Sequence, residues 1–242
     1  MIIKVCGMRD ADNIRAVADL GVDLIGFVFC PQSLRFVKMI PSRAGIIPDY
    51  SEQRLKEVAV RGSVGDNAEA GGYGAGLLGR PKRVGVFVND MPQNIVTRVY
   101  NYKLDYIQLH GNEPRETCEN LRKTLEPDIK PDIKIIKTIS VAEEADVLQY
   151  RQYAGVADLL LFDTKGKTAG GSGKHFDWSV LETYDGELPF ILSGGIGPDD
   201  VERVKCFAHP KCVGIDLNSR FETEPGMKDV EKLAVFLKAL GR

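Results

Sequence analysis

The sequence predicts a single (β/α)8 barrel, in which eight parallel strands close into a cylinder and each strand is followed by a helix. Its 242 residues suit such a barrel, which typically needs about 250 residues. Short apolar runs alternate with helical patterns eight times, which indicates a parallel sheet. The first strand is followed by C-G-M-R at residues 6–9, without the G-x-G-x-x-G that an open doubly wound sheet carries there.

The predicted strands are short, apolar and rich in β-branched residues. The run at 24–29 is almost wholly apolar, as expected of a strand that is covered on both faces. We predict strands at residues 2–6, 24–29, 83–88, 106–109, 133–139, 159–162, 189–192 and 213–217.

Helices are predicted between these strands from apolar residues at helical spacing. Asp10 or Asp12 can cap the first helix and Gly21 ends it. Pro198, followed by two aspartates, suits the first turn of the helix after the seventh strand. The predicted helices lie at about 10–21, 41–60, 92–99, 113–125, 141–153, 176–184, from 198 onward and 228–240.

A glycine-rich segment at about 61–80 departs from this pattern. It offers few apolar side chains to bury, so its ordering entropy is not offset, and we expect a flexible insertion within one barrel domain. It connects a helix to the next strand, which places it on the barrel face opposite the usual site of chemistry.

Composition excludes several classes of function. Lys and Arg number 32 and Asp and Glu 34, a net charge of −2, which gives no basic surface for nucleic acid or an acidic membrane. The five cysteines include no C-x-x-C pair, so neither a zinc site nor a disulfide framework is expected. We see no signal peptide and no run of about 18 apolar residues, and expect a cytoplasmic protein.

A phosphate site is predicted after the seventh and eighth strands. S-G-G-I-G at 193–197 follows the seventh strand, and Asn218-Ser219 follows the eighth. Glycines let an anion approach backbone N–H groups, and barrels of this class hold phosphate at this position. The alternative interpretation of the glycines is a tight turn.

Reactive side chains recur where strands end, which is where this fold carries its chemistry. Three of these side chains have a structural alternative. Cys6 could be a small core residue, His110 a structural hydrogen-bonding group, and Asp163 a helix cap or an ion-pair partner of Lys165 or Lys167. The joint pattern favours a site over these alternatives. The residues are Cys6, Arg35, Asn89, His110, Asp163, Ser193 and Asp216.

Several segments resemble phosphoribosylanthranilate isomerase of tryptophan biosynthesis, over nearly the whole chain and in the expected order. They are K-V-C-G-M-R-D, G-F-V-F-C-P-Q-S-L-R, V-G-V-F-V-N, I-Q-L-H-G-N-E, L-F-D-T-K, G-G-S-G-K-H-F-D-W, L-S-G-G-I, G-I-D-L-N-S-R-F-E and P-G-M-K-D. Two features depart from the family: the 61–80 insertion is longer than expected, and N-S-R-F-E stands where the family commonly has S-S-G-V-E.

The resemblance implies an Amadori rearrangement that needs neither cofactor nor metal. It implies Cys6 as the general base and Asp163 as the general acid. A positive environment should then lower the pKa of Cys6, and the pKa of Asp163 should lie above its reference value. The simplest assignment gives the acidic limb of the pH profile to Cys6 and the basic limb to Asp163.

The resemblance also implies how the substrate is held. Arg35 would bind the anthranilate carboxylate, His110 would form a substrate wall, and Asp216 would orient the phosphate loop. The loop at 164–175 would fold over the substrate. The phosphate would be held by Gly194, Gly195, Asn218 and Ser219. The expected partner is a small phosphorylated substrate, with no nucleic acid or membrane, and the chain is expected to be a monomer or homodimer.

Two other functions remain open at this point. Another sugar-phosphate isomerase or epimerase would share the phosphate site but lack the Cys6 and Asp163 pair, and the histidine-pathway isomerase is expected to use two aspartates. A non-catalytic phosphate-binding barrel would lack the acid or the base.

Overall fold

Eight parallel strands form a closed barrel, as the sequence predicts. The computed structural model describes residues 1–38, 81–164 and 177–242. Each strand pairs with its neighbours in chain order and β8 closes the cylinder on β1. Every predicted strand is confirmed within two residues. The strands are β1 Ile2–Val5, β2 Leu24–Val28, β3 Lys82–Phe87, β4 Tyr106–Leu109, β5 Lys134–Val141, β6 Leu159–Thr164, β7 Phe190–Leu192 and β8 Cys212–Leu217.

Helices follow most described strands, and the first begins at an aspartate cap that the sequence predicts. The Asp10 side chain accepts hydrogen bonds from the backbone N–H groups of Asp12 and Asn13, so Asp10 caps the first helix. Within the described residues, no helix combines the length and apolar character needed to cross a membrane. The α-helices are α1 Ala11–Asp19, α2 Pro92–Tyr102, α3 Arg115–Leu125, α4 Glu144–Val147, α5 Val201–Cys206 and α6 Val230–Ala239.

Three predictions of helix were wrong in detail. The segment predicted as a helix at 141–153 begins as β5, since Val141 is buried and pairs with Thr164, and then forms α4 and a 3-10 turn, Leu148–Tyr153. The helix predicted at 176–184 is a 3-10 turn, Trp178–Thr183, the geometry that short pieces adopt.

The third correction concerns the predicted start of the last helix at 228. Lys228 lies instead in a small antiparallel hairpin, β9 Glu222–Glu224 and β10 Met227–Lys228, whose turn contains Gly226 at φ +89°. Asp229 then caps α6 by accepting from the Lys232 backbone N–H. The helix predicted at 41–60 and the insertion at 61–80 lie outside the described residues.

The interior of the barrel changes from apolar to polar towards the carboxyl ends of the strands. Side chains alternate between the two faces of a strand, so every second residue points inward. The apolar part of the interior includes Leu24, Val28, Val84, Val86, Ile136, Leu159, Leu161 and Ile191. The same alternation places polar residues above them, namely Lys4, Cys6, Gln108, Thr138, Asp163 and Asp216.

Candidate active site at the carboxyl end of the barrel

The Cys6 thiol lies inside the barrel at the end of β1. Only 4% of Cys6 is exposed, and its backbone N–H donates to the Leu217 carbonyl at 2.9 Å. A Cβ on Gly26 of β2 would lie 2.7 Å from the Cys6 sulfur. A glycine is therefore required beside the thiol, and it fixes where the sulfur sits.

A buried ion pair lies next to this thiol. Lys4 and Asp216 are direct register partners on β1 and β8, and the Lys4 Nζ donates to Asp216 Oδ1 at 2.9 Å. Burial acts to lower the pKa of Lys4, but Asp216 and Cys6 together raise it above its ordinary value. Lys4 therefore stays cationic inside the barrel.

Burial raises the pKa of the Cys6 thiol above its ordinary value. The Lys4 and Lys228 ammonium groups oppose this shift, and Asp216 adds to it. The expectation of a lowered pKa was therefore wrong, because two cations do not offset the burial of the sulfur.

The side chains of Asp163 and His110 are close together in the interior, and Gln108 contacts the ring nitrogen of His110 that faces away from Asp163. The Asp163 Oδ2 lies 3.4 Å from His110 Nε2, and Asp163 Oδ1 accepts the Thr164 backbone N–H at 2.9 Å. The Gln108 amide lies 2.9 Å from His110 Nδ1. The Gln108 amide and the Thr138 hydroxyl, 3.3 Å away, both lie at Nδ1, so Nε2 is the ring nitrogen that faces Asp163.

The Lys4–Asp216 pair and the Asp163–His110 pair interact electrostatically. Burial raises the pKa of Asp216, Lys4 opposes this, and smaller effects come from Asp163, which raises it, and His110, which lowers it. Asp216 thus lies within electrostatic range of both the thiol side and the carboxylate side of the interior.

The Arg35 guanidinium donates hydrogen bonds to the Glu222 carboxylate. Its Nε donates to Glu222 Oε1 at 2.8 Å and its Nη2 to Oε2 at 2.5 Å. Glu222 also accepts from the fully buried Lys228 Nζ at 2.5 Å. Burial would raise the pKa of Glu222, but Arg35 and Lys228 lower it overall. The Glu222 carboxylate is therefore ionised, and burial lowers the pKa of its partner Lys228 below the ordinary value.

Gly7 brings Arg35 and Asn218 together above β1. It has φ +79°, and a Cβ there would lie 2.5 Å from Arg35 Cδ and 2.8 Å from Asn218 Oδ1. The Asn218 Oδ1 also accepts from the Lys228 Nζ at 2.9 Å. The turn after β1, the loop after β2 and the loop after β8 therefore meet beside Cys6.

The loop after β7 has the backbone that its glycines require. Gly194 has φ +95° and Gly195 φ +70°, a region that side chains disfavour. A Cβ on Gly194 would lie 2.5 Å from Thr164 Oγ1, whereas one on Gly195 would meet no atom within 4 Å in the described structure. Ser219 begins a 3-10 turn, Ser219–Phe221, rather than a longer helix.

A second buried ion pair supports the end of β4. The Lys137 Nζ donates to Glu113 Oε2 at 2.9 Å and to the Gly111 carbonyl at 2.6 Å. Glu113 Oε1 accepts from the backbone N–H groups of Asn89 and Gly111 at 2.7 and 3.1 Å. The loops after β3 and β4, including the one that carries His110, are thereby tied to β5.

The structure thus gathers Cys6 with Asp216, Arg35 with Asn218, and Asp163 with His110. Asp216 was expected to orient the phosphate loop, which stays a prediction; within the described residues its side chain binds Lys4, because both point into the barrel. Sequence reasoning missed the polar partners, although a charged or amide residue at an inward strand position was a usable signal. The missed residues are Lys4 as the partner of Asp216, Gln108, Glu113, Lys137, Glu222 and Lys228.

Comparison with known proteins decides the family. The family model described as N-(5'-phosphoribosyl)anthranilate (PRA) isomerase matches residues 77–239. A curated N-(5'-phosphoribosyl)anthranilate isomerase of Parabacteroides distasonis is 43% identical over 240 residues, covering 99% of this chain and 93% of that protein. The chain belongs to the N-(5'-phosphoribosyl)anthranilate isomerase family.

Solved structures agree with this assignment. The phosphoribosylanthranilate isomerase of Thermotoga maritima superposes with a TM-score of 0.71 and 28% identity, covering 100% of this chain and 99% of that one. A second structure of the family was solved in complex with reduced 1-(o-carboxyphenylamino)-1-deoxyribulose 5-phosphate and gives a TM-score of 0.69 at 27% identity, covering 100% and 99% of the two chains. The resemblance stated from the sequence is confirmed.

Proposed function

We propose that this chain catalyses the Amadori rearrangement of N-(5-phosphoribosyl)anthranilate to 1-(2-carboxyphenylamino)-1-deoxyribulose 5-phosphate in tryptophan biosynthesis. Membership of the family supports this activity. The observation that carries the mechanism is that a thiol and a carboxylate, Cys6 and Asp163, both occupy inward positions at the carboxyl end of one barrel.

The proposed chemistry divides two proton transfers between these groups. Asp163 donates a proton to the furanose ring oxygen, the ring opens, and the substrate nitrogen becomes a protonated Schiff base. The Cys6 thiolate then removes the proton from C2, and the electron pair moves to the nitrogen to give an enolamine. Tautomerisation of the enolamine yields the aminoketose.

Arg35 is the proposed anchor for the anthranilate carboxylate. The Nε and Nη2 groups of Arg35 donate to Glu222, and no described residue accepts a hydrogen bond from Nη1 of Arg35. A guanidinium has five donors, and we assign the donors that Glu222 does not use to the substrate carboxylate. Glu222 then fixes the orientation of Arg35 before substrate arrives, which reduces the entropy lost on binding.

The phosphate is proposed to lie between the loops after β7 and β8. Gly194, Gly195, Asn218 and Ser219 supply backbone N–H groups there, and the glycines leave room for close approach. Lys228 bonds to Asn218 Oδ1 and brings a positive charge near this loop. This arrangement supports binding of a dianionic group.

The roles of His110 and Asp216 are refined by their contacts. His110 stays a proposed substrate-wall residue, and its Nε2 also lies near the proposed acid. Asp216 is proposed to act through Lys4 as well as to orient the phosphate loop. A monomer or homodimer in the cytoplasm remains the prediction, and residues 165–176 of the predicted substrate-covering loop lie outside the described structure.

An anthranilate-fluorescence assay tests this proposal. Freshly made phosphoribosylanthranilate should lose its fluorescence with saturable kinetics that depend on the enzyme. The histidine-pathway sugar-phosphate substrate, assayed in parallel, should give much slower turnover. Turnover of that substrate alone, or of neither, would contradict the proposal.

A further inference from the structure

A lysine lies inside the barrel beneath the proposed base. Lys4 is fully buried, and because it precedes Cys6 by two residues on one strand, both side chains point to the interior. The Nζ of Lys4 donates to Asp216 Oδ1 at 2.9 Å, and only 6% of the Asp216 side chain is exposed. The thiol therefore rests beside one buried cation and one buried anion.

Stability alone does not account for such a pair. Replacing a buried ion pair by well-packed apolar side chains is often neutral or stabilising. Lys4 pairs in register with Leu24 of β2, and Val, Leu and Ile fill the inward positions below the polar layer, so an apolar pair would suit this part of the interior. The charges lie instead at the level where an ionisable thiol is placed.

We propose that Lys4 and Asp216 are positioning residues that set the charge balance beneath Cys6, with Lys4 favouring the thiolate and Asp216 restraining it. This inference rests on the proposed function for its catalytic meaning, since the thiolate is the proposed base. Its physical content, the ionisation of Cys6, can be measured separately.

Further charges near the thiol, among the residues that the structure describes, come from other elements. Lys228 of β10 favours the thiolate, and Cys6 in turn raises the pKa of Arg35 in the loop after β2. β2 contributes Gly26 and no charge at the sulfur. Asp163 and His110 act on Asp216 with opposite signs. Lys4 has the largest influence of any charge on the thiol, and Asp216 follows it.

Two single substitutions should therefore shift the thiolate fraction of Cys6 in opposite directions. Lys4→Met keeps the length of the side chain and removes the cation, which should raise the pKa of Cys6 and lower the thiolate fraction. Asp216→Asn removes the anion and should raise the thiolate fraction. Below the thiol pKa, a shift of one unit changes that fraction about tenfold, and only the thiolate reacts.

Alkylation of Cys6 by iodoacetamide, followed by mass spectrometry across a range of pH, measures this fraction. We expect Asp216→Asn to react fastest, then wild type, then the double variant, with Lys4→Met slowest by about tenfold or more. The exposed Cys206 is an internal control, whose rate should not change. If both single variants change the alkylation rate of Cys6 in the same direction, as a general increase in exposure of the thiol would do, the inference is overturned.

The double variant Lys4→Met/Asp216→Asn keeps the test decisive if a single variant fails to fold, since it leaves no unpaired buried charge. It should react more slowly than wild type, because the larger influence of Lys4 is lost; an equal or faster rate overturns the inference. Activity separates the two proposals. If the alkylation order holds but kcat/KM does not follow it, the assignment of Cys6 as base fails while the inference stands.

Discussion

Two side chains, Cys6 and Asp163, carry the proposed proton transfers, and substitutions at each should abolish turnover. Cys6→Ala removes the base and Asp163→Asn keeps the size of the acid while removing its proton. Each should lower kcat by at least about 10³, since general acid–base groups contribute about 10²–10⁴. Cys6→Ser should be nearly as poor, because a hydroxyl ionises too weakly. Steady-state fluorescence assays measure these effects.

Substrate binding is the control for these three variants, because Arg35 and the phosphate loop are untouched. Circular dichroism should show unchanged folding, and a binding titration should give a near-wild-type Kd. Near-wild-type turnover in Cys6→Ala would reject the mechanism. The base would then be sought in His110, which lies 3.4 Å from Asp163.

The raised pKa of Cys6 changes the expected pH profile. The reactive form needs a deprotonated thiol and a protonated acid, so kcat/KM should be bell-shaped. Because burial raises the pKa of Cys6, the thiol now belongs to the basic limb, the reverse of the simplest assignment. Lys4→Met should therefore move the basic limb to higher pH and lower the maximum. A Lys4→Met profile that moves only its acidic limb would contradict this assignment.

Arg35 should contribute to binding more than to proton transfer. Arg35→Ala should raise KM by about 10- to 100-fold with little change in kcat, since a hydrogen bond to a charged group is worth about 1.5–3 kcal/mol and the carboxylate is charged throughout the reaction. Arg9→Ala is a control in the turn after β1, where Arg9 donates to the Leu34 carbonyl at 3.2 Å. A collapse of kcat at constant KM would disprove the role.

At the residue scale, sequence reasoning identified candidate groups but not their surroundings. Their positions at or just beyond strand ends, together with the family motifs, pointed to Cys6, Arg35 and Asp163. The partner of Arg35 is Glu222, 187 positions away in sequence, and no local pattern reveals such a contact. The sign of the Cys6 shift was wrong because burial depth depends on the closed barrel.

At the level of elements, the loop after β7 should owe its function to backbone shape. Gly194→Ala would strain a φ of +95° and push a Cβ to 2.5 Å from Thr164 Oγ1, so we expect KM to rise at least about tenfold as the phosphate contacts shift. Gly155→Ala is the control: it has φ +77°, no atom within 4 Å in the described structure, and it lies in the exposed connection before β6.

Both alanines incur the left-handed penalty, which is about 1–2 kcal/mol per residue, so both should unfold at lower denaturant concentration. Only Gly194→Ala should change KM. Equal kinetics in the two variants would show that the loop after β7 does not hold the phosphate.

Strand positions were predictable because buried parallel strands form continuous apolar runs, which local sequence displays. Short connections were not: the 3-10 turn at Trp178–Thr183 and the hairpin of β9 and β10 depend on packing rather than periodicity. Lys228 shows the consequence, since a lysine at a predicted helix start instead bonds to Glu222 and Asn218 in the site.

At the scale of the whole molecule, barrel closure is what joins distant segments. β1 pairs with β8 through Lys4 and Asp216, and the loops after β1, β2 and β8 meet at Gly7. This topology also separates the two ends of the barrel, with the carboxyl ends of the strands bearing the site and the amino ends receiving the connections from the helices.

The glycine-rich insertion should therefore be dispensable for catalysis. It precedes β3, whose first residue Lys82 pairs with Leu24 at the amino end of β2, so the chain enters β3 on the face away from Cys6 and Asp163. Replacing residues 62–79 by a short linker should leave kcat/KM within a few-fold of wild type, because connections on that face tolerate change. A loss beyond about a hundredfold in a variant with an unchanged circular dichroism spectrum would mean that the insertion reaches the site.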